Sequence, residues 1–198
     1  MLFRQLFDRE SCTYTYLLAD GKTLEAVLID SVFEHADRDL SLIEELGLKV
    51  KYVLETHVHA DHITGAKKIK DVTGALFALN KISGHKQADI LLGDGDILKF
   101  GGYDLQVLFT PGHTETCTTY ACEERLFTGD ALFIRGCGRT DFQGGSPETL
   151  YRSVHERIYS RPDHKKIYPG HDYKGRTVST VGEEKRFNPR LKLTNSLQ

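Results

Sequence analysis

The sequence predicts a mixed α/β domain built in layers, and two observations support this prediction. Short runs of aliphatic, β-branched and aromatic residues recur along the chain, and Gly, Asp or Asn residues separate them. A few segments with helical spacing of apolar residues lie between these runs. Strands interleaved with a few helices are typical of sheets covered by helices. The 198 residues contain no repeat, low-complexity segment or linker, so we predict a single domain over residues 1–198.

The first part of the chain is predicted to contain strands and two helices. Strands are expected at "CTYTYLLAD", "EAVLID" and "LKVKYVLETH", with a hairpin turn at Asp20-Gly21. A helix is expected in "HADRDLSLIEELG", because apolar residues recur there at helical spacing and Gly47 fits its C-terminal cap. A second helix should follow within "ITGAKKIKDVTG".

The remainder of the chain repeats this alternation. Strands are expected at "ALFALN", "DILKFG", "YDLQVLFT", "TCTTYA", "RLFTGD" and, as the last one, "KKIYPGH". In "SPETLYRSVHERIYS" we expect a helix that Ser146 caps and in which Pro147 occupies the first turn. A final helix is expected in "VSTVGEEKRF".

Composition and charge argue against several classes of protein. The formal net charge is −2, and no basic block indicates binding to nucleic acid or to a membrane surface. No apolar run has the length of a membrane span, and the N-terminus has no signal-peptide pattern. The four cysteines form no C-x-x-C pair, which favours free thiols in a reducing compartment. We therefore expect a cytoplasmic location.

Candidate metal ligands concentrate in the segment "LETHVHADHITGA" and after three later strands. In each later case an apolar strand is followed by a Gly and then by a His or Asp. Such a cluster of nitrogen and oxygen donors favours a transition metal over calcium or magnesium. Asp61 alone could instead cap a helix, and His171 alone could be structural. The full set comprises His57, His59, Asp61, His62, His113, Asp130 and His171.

Four motifs in the sequence resemble the metallo-β-lactamase superfamily. They are "THVHADH", "PGHT", "TGD" and "PGHDY". This resemblance implies an αββα sandwich with a metal site at one edge of its sheets. The segments "RGCGRTDFQGG", "YPGHDYKG", "LYRSVHERIYS" and "FNPRL" further resemble the persulfide dioxygenases, also called sulfur dioxygenases, the group of the ethylmalonic encephalopathy protein. That resemblance implies oxidation of glutathione persulfide by O2 to sulfite and glutathione, and it suggests a homodimer.

The resemblance also implies a role for each candidate residue. His57, His113 and Asp130 would be the catalytic ligands of one Fe²⁺ per chain, a triad typical of non-haem iron oxygenases. Around them, His59, Asp61, His62 and His171 would orient the ligands and nearby waters. Arg139, Tyr173 and Arg190 would bind the substrate, although a structural pair of Arg139 with Asp141 or Asp172 is an open alternative. Cys137 would lie near the pocket, either as a reactive or as an inert thiol.

The main rival hypothesis is a glyoxalase-II-like thioester hydrolase. Such an enzyme would use the same seven side chains to hold two metal ions and a bridging hydroxide. Two features favour the dioxygenase: the segments that resemble it, and the short stretch after His171, where glyoxalase II has a helical substrate-binding domain. Asp130 and the lack of a secretion signal make a β-lactamase the weaker alternative. A non-catalytic metal-binding module is weaker still, because clustered ionisable ligands usually mark active sites.

Overall fold

The computed structural model describes residues 1–194, which form two six-stranded sheets packed face to face with helices on both outer faces. The first sheet has the strand order β1-β2-β3-β4-β5-β6, and the second has the order β12-β11-β10-β9-β8-β7. This is the layered α/β sandwich that the sequence predicts.

The first sheet begins with antiparallel strands and continues with parallel ones. Strands β1 to β3 form an antiparallel meander, and β3 to β6 run parallel. Parallel neighbours need a crossover, and helices α1 and α2 provide two of these connections on the outer face. The strands are β1 Leu2–Phe7, β2 Tyr14–Ala19, β3 Glu25–Ile29, β4 Lys49–Leu54, β5 Leu76–Asn80 and β6 Ile90–Leu92, and the helices are α1 Ala36–Glu45 and α2 Ala66–Thr73.

The second sheet is an antiparallel meander extended by a crossover. Strands β7 to β10 pair in sequence order, and the crossover through α3 makes β11 parallel to β10. Ser146 caps α3 by accepting a hydrogen bond from the Thr149 N–H, as predicted. The elements are β7 Ile97–Phe100, β8 Tyr103–Phe109, β9 Thr118–Cys122, β10 Arg125–Gly129, α3 Pro147–Ser153, β11 Lys166–Pro169, β12 Ser179–Thr180 and α4 Val181–Phe187.

The alternation of side chains along β2 shows how one sheet serves two cores. Tyr14, Tyr16 and Leu18 point into the core between the sheets, whereas Leu17 and Ala19 join the core under α1 and α2. A third core lies between the second sheet and helices α3 and α4. Burying a large apolar side chain contributes about 1.5–3 kcal/mol, so these three cores fix how the two sheets stack.

Some element boundaries differ from those the sequence suggests. Helix α2 begins at Ala66 with Gly65 as its N-cap, so Asp61 and His62 lie in a loop rather than at a helix start. Strand β12 follows β11, so "KKIYPGH" is not the last strand, and α4 begins only after it. The edge strands β1 and β6 were missing from the prediction. Within residues 1–194, no helix combines the length and apolar character needed to cross a membrane.

Candidate metal centre

The candidate ligands meet at one edge of the sandwich because each follows the carboxyl end of a strand. His57 follows β4 in the first sheet, whereas His113, Asp130 and His171 follow β8, β10 and β11 in the second. These three strands of the second sheet run in the same direction. Gly129 adopts a φ of +50°, and a Cβ atom there would lie 2.5 Å from the Thr56 hydroxyl oxygen. Glycine therefore allows the two sheets to approach closely beside Asp130.

His57, His113 and Asp130 form one compact group of potential ligands. One donor atom from each lies within 4.8 Å of the others. The Nε2 atom of His113 lies 3.6 Å from Oδ2 of Asp130, and the His57 and His113 ring centroids are 5.0 Å apart. Two imidazoles and one carboxylate at this spacing match the donor set of a mononuclear non-haem iron site.

A hydrogen-bond chain sets the tautomer of His57. The Thr56 hydroxyl donates to Oδ2 of Asp30 at 2.9 Å, so it accepts the Nδ1–H of His57 at 3.0 Å. This leaves the Nε2 lone pair of His57 for a metal ion. Burial, followed by the charge of neighbouring His59, holds the pKa of His57 well below its usual value. His57 is therefore a neutral imidazole, the form that binds metals.

His113 is oriented in the same way by the backbone. Its Nδ1–H donates to the carbonyl oxygen of Arg139 at 2.7 Å, which leaves Nε2 facing Asp130. Hydrogen bonds of this kind fix the ring orientation and the basicity of a ligating imidazole. Both histidines thus direct Nε2 toward the carboxylate of Asp130, and the residues fit a divalent transition metal.

His59 has a different environment although it is only two residues from His57. Its Nε2 lies 3.2 Å from Oδ1 of Asp30 and 3.1 Å from Oε2 of Glu55. Burial alone would lower the pKa of His59, but the hydrogen bonds and charges of these two carboxylates raise it well above its usual value. His59 is therefore an imidazolium between two buried acids. Its Nδ1 has no hydrogen-bond partner among residues 1–194.

His171 joins the carboxylates of the two sheets. Its Nδ1–H donates to Oδ1 of Asp130 at 2.7 Å, and its Nε2–H donates to Oδ2 of Asp61 at 2.9 Å. Burial opposes protonation of His171, but the charge of Asp130 and the bonds to both acids raise its pKa to about 9. His62 donates from Nδ1 to the same oxygen of Asp61 at 2.9 Å. His59, Asp61 and His62 form a second group with donor atoms within 4.8 Å.

A cavity of about 590 Å³ opens beside His113, Asp130 and His171, a volume suited to a small-molecule ligand. Arg139, Tyr173, Arg190 and Cys137 all contribute to its lining. The Arg139 guanidinium is paired with Asp141, with an Nε–Oδ1 distance of 2.8 Å, and both side chains are exposed.

Tyr173 and Cys137 occupy different positions in this cavity. The Tyr173 ring is stacked on His171 with a centroid distance of 6.1 Å, and it is 69% exposed. Burial raises the pKa of the Cys137 thiol, while the charge and hydrogen bond of Arg190 act in the opposite direction. All four cysteines are free thiols, as the sequence indicates.

Three functional residues were not recognised in the sequence: Asp30, Glu55 and Thr56. Asp30 directly follows β3, just as the predicted ligands follow their strands. This position at a strand end could have identified Asp30 as a site residue. Its φ of +54° lies in the left-handed region, which Asp tolerates better than most residues. Glu55 and Thr56 lie next to His57 in "LETH", but only the fold shows that their side chains face the buried histidines.

The chain matches the family model of the metallo-beta-lactamase superfamily over residues 12–171. A relative solved as a di-iron-bound form, TTHA1623, is 25% identical with a TM-score of 0.76, over 94% of this chain and 98% of that one. With its sandwich and its match to the family model, the chain belongs to the metallo-beta-lactamase superfamily, and its group of candidate ligands at the sheet edge implies a metal site.

Within this superfamily the similarity to one group is much higher. The mitochondrial persulfide dioxygenase ETHE1 of Mus musculus is 53% identical over 98% of this chain and 77% of the mouse protein. The crystal structure of ETHE1 from Myxococcus xanthus is 50% identical with a TM-score of 0.94, over 96% of this chain and 84% of that one. The chain is a member of the persulfide dioxygenase family, and its αββα fold and oxidoreductase class are those that the sequence predicts.

Proposed function

We propose that this protein is a mononuclear iron dioxygenase that oxidises glutathione persulfide with O2. The sulfane sulfur is oxidised to sulfite, and glutathione is released with its thiol restored. With one water molecule the equation balances: one persulfide, one O2 and one H2O give one glutathione and one sulfurous acid. Four electrons pass from the persulfide to O2. The observation that carries the proposal is the group of His57, His113 and Asp130 beside the cavity.

These three residues would hold one Fe²⁺ per chain. Bound iron supplies open coordination positions for sulfur and O2 together with redox chemistry, which zinc lacks. The hydrogen bonds that the imidazoles donate to the Thr56 hydroxyl and to the Arg139 carbonyl keep both rings in the ligating tautomer. Asp130 contributes the only anionic donor of the three.

The residues around this triad would hold protons and carboxylates in place. We assign His59 to the charge network of Asp30 and Glu55, where it supports the loop of His57 without binding iron. His171 holds Asp130 by one ring nitrogen and Asp61 by the other. Asp61 and His62 complete this network around the metal. Removing one member of a hydrogen-bond network around metal ligands typically lowers activity or metal affinity by about 10–100-fold.

The cavity would bind the glutathione part of the substrate. Glutathione carries two carboxylates, and a guanidinium pairs with a carboxylate through two hydrogen bonds. We assign Arg190 to such a carboxylate, and Arg139 to the same role once its exchangeable pair with Asp141 opens. Tyr173 lies on His171 at the cavity wall, where its hydroxyl would reach the substrate.

The decisive experiment combines metal analysis of anaerobically purified protein with an O2-electrode assay on glutathione persulfide. We expect about one iron per chain and O2 uptake that yields sulfite. S-Lactoylglutathione, a thioester, serves as the substrate for the rival hydrolase. Two tightly bound zinc ions per chain with hydrolysis of this thioester would refute the dioxygenase proposal.

Location, assembly and domain organisation stay predictions. The mammalian relatives carry the word mitochondrial in their names, so the predicted cytoplasmic location is tested by fractionation of the source cells. The predicted homodimer is tested by light scattering, and the single domain over residues 1–198 by limited proteolysis. Binding of nucleic acid or membrane is not expected from the net charge of −2.

A further inference from the structure

We propose that Asn188 and Glu184 are positioning residues that hold Arg190 at the cavity, so that selectivity for an anionic persulfide depends on them. Both are fully buried, and neither lines the cavity. The inference rests on the proposed function, because it concerns how the substrate's carboxylate is recognised. It assigns a role to α4 and to the "FNPRL" segment that follows.

Glu184 anchors the segment through several hydrogen bonds. Its Oε2 accepts the Arg135 backbone N–H at 2.9 Å and an Asn188 side-chain N–H at 3.0 Å. Its Oε1 accepts the Ser179 hydroxyl at 2.6 Å and also pairs with the Arg135 guanidinium. A buried carboxylate with all of these donors is rigid, since breaking any one bond leaves a buried polar group unsatisfied.

Asn188 connects this anchor to the cavity loop and to Arg190. Its Nδ2 donates to the Gly136 carbonyl at 3.0 Å. Its Oδ1 accepts the backbone N–H groups of Arg190 and Leu191, both at 3.0 Å. Pro189 restricts Asn188 to an extended backbone, with φ −66° and ψ 120°. The amide side chain of Asn188 therefore fixes the position of the Arg190 backbone relative to the Gly136 loop.

The loop held by Asn188 also leads to the metal ligands. After Gly136, Cys137 contacts the Arg190 side chain, and the Gly138 N–H donates to the Asp130 carbonyl at 2.8 Å. The Arg139 carbonyl then orients His113. Because the ligand end of the loop has these bonds of its own, losing Asn188 should displace Arg190 while the metal site persists.

The test compares two substrates in Asn188→Ala: glutathione persulfide and the small neutral 2-hydroxyethyl persulfide. We expect KM for glutathione persulfide to rise about tenfold, the size of a lost charge-assisted contact. The kcat value, the iron content and KM for the neutral persulfide should change by less than about twofold. Asn188→Ala combined with Arg190→Ala should be no worse than Arg190→Ala alone, because both changes remove the same contact.

Asn80→Ala is the matched control for lost stability. Asn80 is equally buried, donates to the Thr116 carbonyl at 3.0 Å and accepts the Ile82 N–H at 3.0 Å, but it does not bond the Arg190 segment. The Asn80→Ala substitution should lower Tm while leaving the ratio of KM for glutathione persulfide to KM for the neutral persulfide unchanged. Glu184→Gln, which keeps the side-chain shape but removes its charge, should shift this ratio in the same direction as Asn188→Ala.

Several outcomes would overturn the positioning role. They are an equal rise in KM for both substrates, multiplied losses in the double variant, or the same change of ratio in Asn80→Ala. If the wild-type protein consumes no O2 with glutathione persulfide, the proposed function fails instead. Calorimetric titration with glutathione then still tests the positioning role, since Asn188→Ala should bind it about tenfold more weakly than Asn80→Ala does. Equal affinities would overturn it.

Discussion

Each histidine of the metal centre has a protein partner on at least one ring nitrogen, and that partner separates the roles of neighbouring residues. His57 and His113 donate from Nδ1 to uncharged oxygens, so Nε2 is the ring nitrogen that each directs toward the metal position. His171 donates to carboxylates from both nitrogens and is held as a cation. The pattern His-x-His-x-Asp-His alone cannot make this distinction, because Asp30 comes from a distant part of the chain and only the fold turns the nearby Glu55 and Thr56 side chains toward the histidines.

Alanine substitutions of Asp130 and of His171 distinguish a metal ligand from the residue that holds this ligand in place. Asp130→Ala should remove iron and activity together, because it deletes the anionic donor of the triad. His171→Ala should keep most of the iron but lower activity by about 10–100-fold, as changes to the partners of ligands do. Iron content by mass spectrometry, measured beside O2 uptake, checks both. If His171→Ala loses iron as completely as Asp130→Ala, the single-iron assignment is wrong.

The two cavity arginines should contribute unequally. Arg139 already pairs with Asp141 at the surface, whereas Arg190 contacts Cys137 in the cavity wall. We expect Arg190→Ala to raise KM for glutathione persulfide by roughly 10–150-fold, and Arg139→Ala to raise it less. Asp141→Ala is the control, because it releases Arg139 and should not raise KM. Loss of iron in either arginine variant would show that these arginines hold the structure rather than the substrate.

At the scale of elements, the sequence predicts best where the strand pattern and the chemistry coincide. The strands that precede His57, Asp130 and His171 are apolar runs followed closely by a ligand, so the sequence shows both the strand and the site. Strand β1 was not predicted because most of its residues are half-buried at a sheet edge, so its sequence lacks a clear alternation of apolar and polar residues. The alternative of Asp61 as a helix cap is wrong because α2 begins at Ala66 with Gly65 as its N-cap, although an acid shortly before a helix resembles an N-cap.

The turn that joins β1 to β2 should give the fold an acid-sensitive element. Asp8 accepts hydrogen bonds from the Glu10 and Ser11 N–H groups and from His35 Nε2 at 2.9 Å. Burial alone would raise the pKa of Asp8, but these bonds, those from Ser11 foremost, hold it well below its usual value. A depressed folded-state pKa stabilises the protein above the unfolded pKa of about 3.9, and this contribution falls as pH drops toward the folded value.

Asp8→Asn is the variant that reveals this contribution. We expect it to lower the free energy of unfolding at pH 7, and the difference from wild type should shrink steadily below about pH 4. Urea unfolding of the metal-free proteins at several pH values measures it. Asp104→Asn is a suitable control, since Asp104 is exposed and pairs with Lys99 at the surface. A difference that does not vary with pH would contradict the role of the Asp8 charge.

At the scale of the whole molecule, the metal centre joins the two sheets at one edge. His57 comes from the first sheet, and His113 and Asp130 come from the second. The sheets are also joined there by protein bonds: the Thr118 N–H donates to the Thr56 carbonyl at 2.7 Å, and the Tyr120 hydroxyl donates to the Glu55 carbonyl at 2.8 Å. We therefore expect the metal-free protein to stay folded but to lose the stability that the metal adds.

Removing the metal should lower Tm by about 10 °C. A ligand at 1,000 times its Kd stabilises the folded state by about 4 kcal/mol. For a chain of this size, each kcal/mol shifts Tm by roughly 2–4 °C. Anaerobic calorimetry of the metal-free protein with and without Fe²⁺ measures this shift. The Tm of Asp130→Ala should rise very little when Fe²⁺ is added, and His171→Ala should retain most of the wild-type rise in Tm. An equal shift in Asp130→Ala would mean that iron stabilises the fold from another site, because this variant removes the carboxylate donor of the triad.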